Sequence, residues 1–105
     1  MMGTLNKDNL SAKKIINVLT KSKTEARQRF RAEIKGVFGS FARGDSKHKS
    51  DIDVLVEFDN RANLIDFVGL SLFLEERLKR PIDIVPESAI RKELKTNILK
   101  EAIYL

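Results

Sequence analysis

The stretch FGSFARGDSKHKSDIDVLVEF, residues 38–58, decides the reading of this chain. Before it, EIKGVF is an apolar run carrying Ile34, Val37 and Phe38, which predicts a buried strand. The run stops at Gly39-Ser40, and SFARGD is long enough only for a turn or two of helix, with Gly44 suited to end it. SKHK is a polar loop, and SDIDVLVEF is the clearest strand pattern in the sequence. Side chains alternate along a strand, so Asp51 and Asp53 share a face and Ile52 and Val54 take the other. Their Cα atoms would lie roughly 6.5–7 Å apart, close enough for both carboxylates to converge on one small site. Two carboxylates at the mouth of a strand repel each other, so the pattern points to a bound group rather than to packing.

Outward from that stretch the elements alternate. Asn9 or Ser11 can cap a helix through NLSAKKIINVLTKS, with Leu10, Ile15, Val18 and Leu19 at helical spacing. TEARQRF, with Thr24 as a possible cap, predicts a second helix or a continuation to about Arg31. After residue 58, NLIDFVGLSLFLEERLKR predicts a long helix from Leu64 to Arg80, PIDIV a short strand, and ESAIRKELKTNILKEAIYL a helix-prone end broken near Thr96. The 105 residues read as one domain, with residues 1–8 as its tail. The order predicts an α/β (α+β) fold in which a small mixed sheet is flanked by helices. The helix from Leu64 to Arg80 is apolar on more than one stripe. It therefore covers a wide core face or takes part in a homo- or hetero-oligomer.

Composition excludes several classes. No apolar run approaches the roughly 18 residues of a membrane span, and no secretory signal core is visible. With no cysteine there is no disulfide framework and no thiolate zinc site, which fits a cytoplasmic protein. Residues 1–50 hold 12 Lys and Arg against 4 Asp and Glu, whereas residues 51–105 hold 8 against 11. A basic half can attract nucleotide phosphates, an acidic partner or nucleic acid. No base-reading motif or aromatic stacking platform is visible, which argues against nucleic acid.

The chemistry follows from residue types. Hard divalent cations such as Mg²⁺ take carboxylate oxygens together with phosphate oxygens. Two such ions about 4 Å apart can clamp the attacking and leaving oxygens of a phosphoryl displacement. Asp83, the polar residue inside PIDIV, is placed to supply a third carboxylate from a neighbouring strand. Gly39 lets backbone approach a ligand, and the Ser40 hydroxyl and the helix start offer donors to phosphate. Arg43 can reach phosphate oxygens or pair with Asp45 or another acid. His48, Lys47 and Lys49 read as an exposed loop, Glu57 as a structural group and Tyr104 as a packed anchor.

The combination Gly-Ser-x-Ala-Arg-Gly followed by Ser-Asp-x-Asp resembles the signature of the minimal nucleotidyltransferases, within the DNA polymerase β-like nucleotidyltransferase superfamily. The resemblance spans residues 36–85. It implies the polymerase β-like nucleotidyltransferase fold, with Gly39 and Ser40 at the triphosphate of ATP or another NTP. It also implies two Mg²⁺ ions on Asp51, Asp53 and Asp83, the last also helping to deprotonate an acceptor hydroxyl. Members of this kind often act as antitoxins beside a helical HEPN ribonuclease toxin, and some transfer AMP from ATP onto a tyrosine of that toxin. The expected activity is therefore transfer of AMP to a hydroxyl of a protein partner. The alternative is an antitoxin that neutralises by direct binding, with a weak or silent nucleotide site. On that alternative, charged substitutions at Phe67 or Phe73 should block partner binding.

Overall fold

The computed structural model describes residues 12–43 and 51–105. The expected N-caps Asn9 and Ser11, the tail before them and the loop holding Gly44, Asp45, Lys47, His48 and Lys49 lie outside the described residues. The elements run α1 (Ala12–Phe30), β1 (Ala32–Phe38), α2 (Ser40–Arg43), β2 (Ile52–Phe58), α3 (Leu64–Leu78), β3 (Ile82–Pro86), a 3-10 turn (Glu87–Ala89), α4 (Lys92–Glu101) and β4 (Ile103–Tyr104). The four strands form one mixed sheet in the order β3-β2-β1-β4. β1 is antiparallel to β2 and to β4, and β2 is parallel to β3. This is the small mixed sheet with flanking helices that the sequence predicts.

The core lies on one face of the sheet. Ala32, Ile34 and Val37 of β1, Ile52, Val54 and Val56 of β2, and Ile82 and Ile84 of β3 are buried there. Ile15, Leu19 and Ala26 of α1 and Leu70, Phe73, Leu74 and Leu78 of α3 pack onto them. A bulge between Ile34 and Gly36 keeps both ends of β1 in register with β2, so Ile34 and Val37 both face the core despite their odd spacing. The opposite face carries Glu33, Gly36, Phe38, Asp53, Leu55, Glu57 and Asp83, by the same register.

α1 is one helix and not two. Ile15, Leu19, Ser22 and Ala26 recur at steps of four, three and four, so a single buried stripe continues past the exposed Thr24. The buried Ser22 hydroxyl donates to the Val18 carbonyl at 2.8 Å, which satisfies it without ending the helix. α3 begins at Asn63, whose side chain accepts from the Asp66 N–H while Asp66 accepts from the Asn63 N–H. It ends two residues short of the expected Arg80. Lys79 adopts a left-handed conformation (φ 57°) and Pro81 follows.

The C-terminal end differs more. The expected break near Thr96 falls instead at Ile90 and Arg91, and α4 runs through Thr96 unbroken. After it, Ile103-Tyr104 leaves the helical path and pairs with Gly36-Val37. Gly36 permits this: a Cβ there would overlap the Ile103 carbonyl. Tyr104, expected as a packed anchor, is exposed instead, held by its hydroxyl, which donates to the Leu99 carbonyl at 3.2 Å.

The α1–α3 contact is held by aromatic and cationic groups. Phe30 and Phe73 pack with centroids 5.3 Å apart, and the Arg77 guanidinium sits 4.3 Å from the Phe73 ring. Arg77 also pairs with Glu25 of α1 at 2.7 Å. Phe67 packs on Phe58 at 5.9 Å. Phe67 and Phe73 are therefore inward residues. A charge at either would damage the domain, so the expectation that they probe a partner surface is corrected.

Candidate active site

The end of β1 and the starts of β2 and β3 meet at one edge of the sheet, because β1 runs against β2 and β3 runs with it. Asp53 is the centre of this edge. It pairs with Phe38 of β1 on one side and with Asp83 of β3 on the other. The β2–β3 junction is closed by the Ile52 N–H, which donates to the Pro81 carbonyl at 3.0 Å. Asp51 stands exposed immediately before β2, Asp83 is exposed, and Asp53 is half-buried between its neighbours.

Gly39 follows Phe38 with φ 75°, a conformation that glycine adopts without strain. A side chain there is doubly excluded, since a Cβ would overlap Oδ2 of Asp53. The glycine thus brings the backbone onto the central carboxylate. Ser40 opens α2, whose single turn is closed by the Arg43 N–H donating to the Gly39 carbonyl at 3.0 Å. Phe41, nearly fully buried, drives this turn into the core, and Arg80 lies over its ring at 5.4 Å. That anchoring role of Phe41 was readable from a lone large apolar residue between Ser40 and Arg43.

The electrostatics of the edge are unfavourable for an unliganded chain. Burial pushes the Asp53 carboxyl up to about 6 from 3.8, aided by the Asp83 charge, a hydrogen bond with Asp83 and the Asp51 charge, against an opposing pull from Arg43. Arg43 itself pairs with Glu101 at the end of α4, at 3.5 Å. Of the two roles left open for Arg43, an ion pair is formed, with an acid from the far end of the chain. No sequence signal marks Glu101. Glu57, further along the Asp53 face, pairs with Lys35 at 3.4 Å and is a structural group as expected.

Among the described residues no three His, Cys, Asp or Glu side chains form a group that could hold a metal ion. The donors present nonetheless suit a hard cation. Asp53 and Asp83 are register partners on adjacent strands, and Asp83 and Asp51 are both near enough to raise the Asp53 pKa. A divalent cation would offset that mutual repulsion with oxygen ligands of its preferred kind. Gly39 and Ser40 stand beside this acidic edge, so a phosphate-bearing ligand can meet backbone N–H groups and carboxylates together.

A mixed sheet with a glycine-serine turn facing strand-edge aspartates defines a nucleotidyltransferase domain, and the nucleotidyltransferase domain family matches residues 19–105. The chain belongs to that family. It is 36% identical over 96 residues to the protein adenylyltransferase MntA of Thermococcus cleftensis, covering 91% of this chain and 97% of that protein. Among solved structures it resembles a “putative minimal nucleotidyltransferase”, with TM-score 0.78 and 33% identity over 92% of this chain and 98% of the other. It also shares its fold with a chain of a toxin–antitoxin crystal structure containing AMP-PNP, at TM-score 0.63 and 22% identity, covering 90% of this chain and 72% of that one. No helix among the described residues is long and apolar enough to cross a membrane.

Proposed function

We propose that this nucleotidyltransferase moves AMP from ATP onto a hydroxyl of a protein partner, as the antitoxin of a HEPN-type toxin in the cytoplasm. The observation that carries the reading is the apposition of Gly39 with Asp53 and of Asp53 with Asp83. The adenylyltransferase relative supports a protein acceptor, and the toxin–antitoxin neighbour supports a toxin as a partner.

In this reaction the acceptor oxygen bonds to the α-phosphorus, the α–β anhydride bond breaks, and pyrophosphate leaves. The acceptor proton passes to the exposed Asp83 carboxylate and from there to water. Gly39 and Ser40 hold the triphosphate by backbone N–H and hydroxyl donation. Asp51, Asp53 and Asp83 would hold Mg²⁺, which when bound supplies positive charge to the triphosphate and pyrophosphate oxygens. Arg43, held by Glu101, adds positive charge beside the phosphate site. The domain's part is positioning and electrostatic stabilisation.

The test is label transfer to a co-purified HEPN partner. ATP labelled at the α-phosphate should leave label on the partner, and ATP labelled at the γ-phosphate should not. Label retained from the γ-phosphate would mean phosphoryl transfer and would overturn the proposal. Neutralisation of the toxin with no label from either would favour action by binding.

A further inference from the structure

The C-terminal segment reaches the carboxylate edge through the ion pair of Arg43 with Glu101. α4 buries none of its residues, so packing alone fixes it weakly. Its end is fixed by backbone instead. Ile103-Tyr104 pairs with Gly36-Val37, the Leu105 N–H donates to the Lys35 carbonyl at 3.0 Å, and the Ala102 N–H closes the helix on the Ile98 carbonyl at 3.0 Å. Glu101 is the last residue of α4, two before this strand. A carboxylate there meets the negative end of the helix dipole, which disfavours it locally. Its counter-charge comes from Arg43, at 3.5 Å.

Arg43 is anchored at its root and guided at its tip. Its N–H donates to the carbonyl of Gly39, the glycine that meets Asp53. Its guanidinium lies within reach of two acids. One is Glu101, and the other is Asp53, whose carboxyl is raised first by burial and drawn back by the Arg43 charge. A guanidinium is a rigid fork of five N–H donors, so one edge can face a carboxylate while another faces a phosphate.

Taking the edge as the nucleotide site, on which this step rests, we infer that Glu101 is a positioning residue for the nucleotide: from the end of α4 it holds the Arg43 guanidinium beside the phosphates, and β4 holds Glu101 in place. A loose arginine must be immobilised when phosphate binds, and an arginine already held is spared that cost, an effect of about 3-fold to 10-fold in affinity. The Glu101 charge also repels phosphate, but its side chain is 50% exposed and solvent screens this to less than about 2-fold. Positioning therefore outweighs repulsion, and it acts only through Arg43.

The test is a double-mutant cycle on the full chain, read by calorimetry with Mg²⁺ and α,β-methylene-ATP as the probe. Glu101→Gln should weaken binding about 3-fold to 10-fold, with the Tm nearly unchanged because the pair is half-exposed. Arg43→Ala should weaken it about 10-fold or more. In the Arg43→Ala background, Glu101→Gln should leave affinity unchanged or up to about 2-fold tighter, since only the repulsion remains. Glu93→Gln removes the same charge from the exposed first turn of α4 and should act by less than about 2-fold. A Glu101→Gln variant that binds like wild type overturns the inference, as does an equal loss in both backgrounds, which would mean that Glu101 acts through the fold. Tighter binding by Glu101→Gln alone also overturns it, because the carboxylate would then compete with phosphate for Arg43. A wild-type chain that binds no analogue would overturn the nucleotide reading of the edge itself, and the role of Glu101 with it.

Discussion

Replacing Asp53 by asparagine should make the metal-free protein more stable while removing its activity. The substitution keeps the shape and hydrogen-bonding capacity of the side chain but removes a charge held between Asp51 and Asp83. The folded Asp53 carboxyl is raised from 3.8 to about 6, so the folded state keeps its proton longer than the unfolded chain does. The stability this confers is fully present below about pH 4 and is lost as pH rises through about 6. A shift of this size corresponds to about 3 kcal/mol at most. The site is half-open to solvent, so screening reduces this to about 1–2 kcal/mol. For a domain of this size that is about 5–10 °C in Tm. Thermal unfolding of wild type and Asp53→Asn in EDTA, from pH 4 to pH 8, measures it. The two curves should nearly coincide at pH 4 and separate as pH rises, with the variant higher at pH 7.5. A variant equal to or less stable than wild type at pH 7.5, with a gap independent of pH, would refute the electrostatic account of the edge.

Adding Mg²⁺ at pH 7.5 should raise the wild-type Tm by the linkage expected of a ligand that binds only the folded state, about 1.4 kcal/mol at tenfold excess over Kd. The same addition should leave Asp53→Asn almost unmoved and should act less at pH 5, where the Asp53 proton competes. Gly39→Ala places a methyl group against the Asp53 carboxylate at φ 75° and should cost about 1–3 kcal/mol in stability. It should abolish label transfer as well; transfer at wild-type rate would show that the close approach is dispensable. Phe73→Ala should cost about 3–5 kcal/mol in urea unfolding, because the ring is buried between Phe30 and Arg77. Ile65→Ser, on the exposed face of the same helix, should change monomer stability by less than about 0.5 kcal/mol.

The parts of the fold legible in the sequence are those fixed by local pattern. β2 shows the apolar run Val54-Leu55-Val56 between Asp53 and Glu57, α3 a capping residue and a proline stop, and β3 a proline start. Where the sequence misleads, a distant contact decides. β4 exists because Gly36, in another strand, leaves room for the Ile103 carbonyl, and nothing near residue 103 announces a strand. Thr24 has the right residue type for a cap, but the buried stripe through Ser22 and Ala26 carries the helix past it. The breadth of α3 left a wide core face and an oligomer seam equally open, and the structure shows an inward set and an outward set on one helix. At the site, Gly39, Ser40, Asp51 and Asp53 could be singled out because they are close in sequence. The pairing of Asp83 with Asp53 needed the parallel register of β3, and the tie between Arg43 and Glu101 spans the sheet and α4.

The central claim is that the aspartate edge transfers a nucleotide to a protein. Its most direct test is intact-mass spectrometry of a HEPN partner mixed with this protein, ATP and Mg²⁺, beside a parallel sample with Asp51→Ala/Asp53→Ala. The account predicts that the partner gains the mass of one or more AMP units with wild-type protein and none with the double variant. A stable complex whose partner mass never changes, or an AMP gain that survives the double variant, would contradict it.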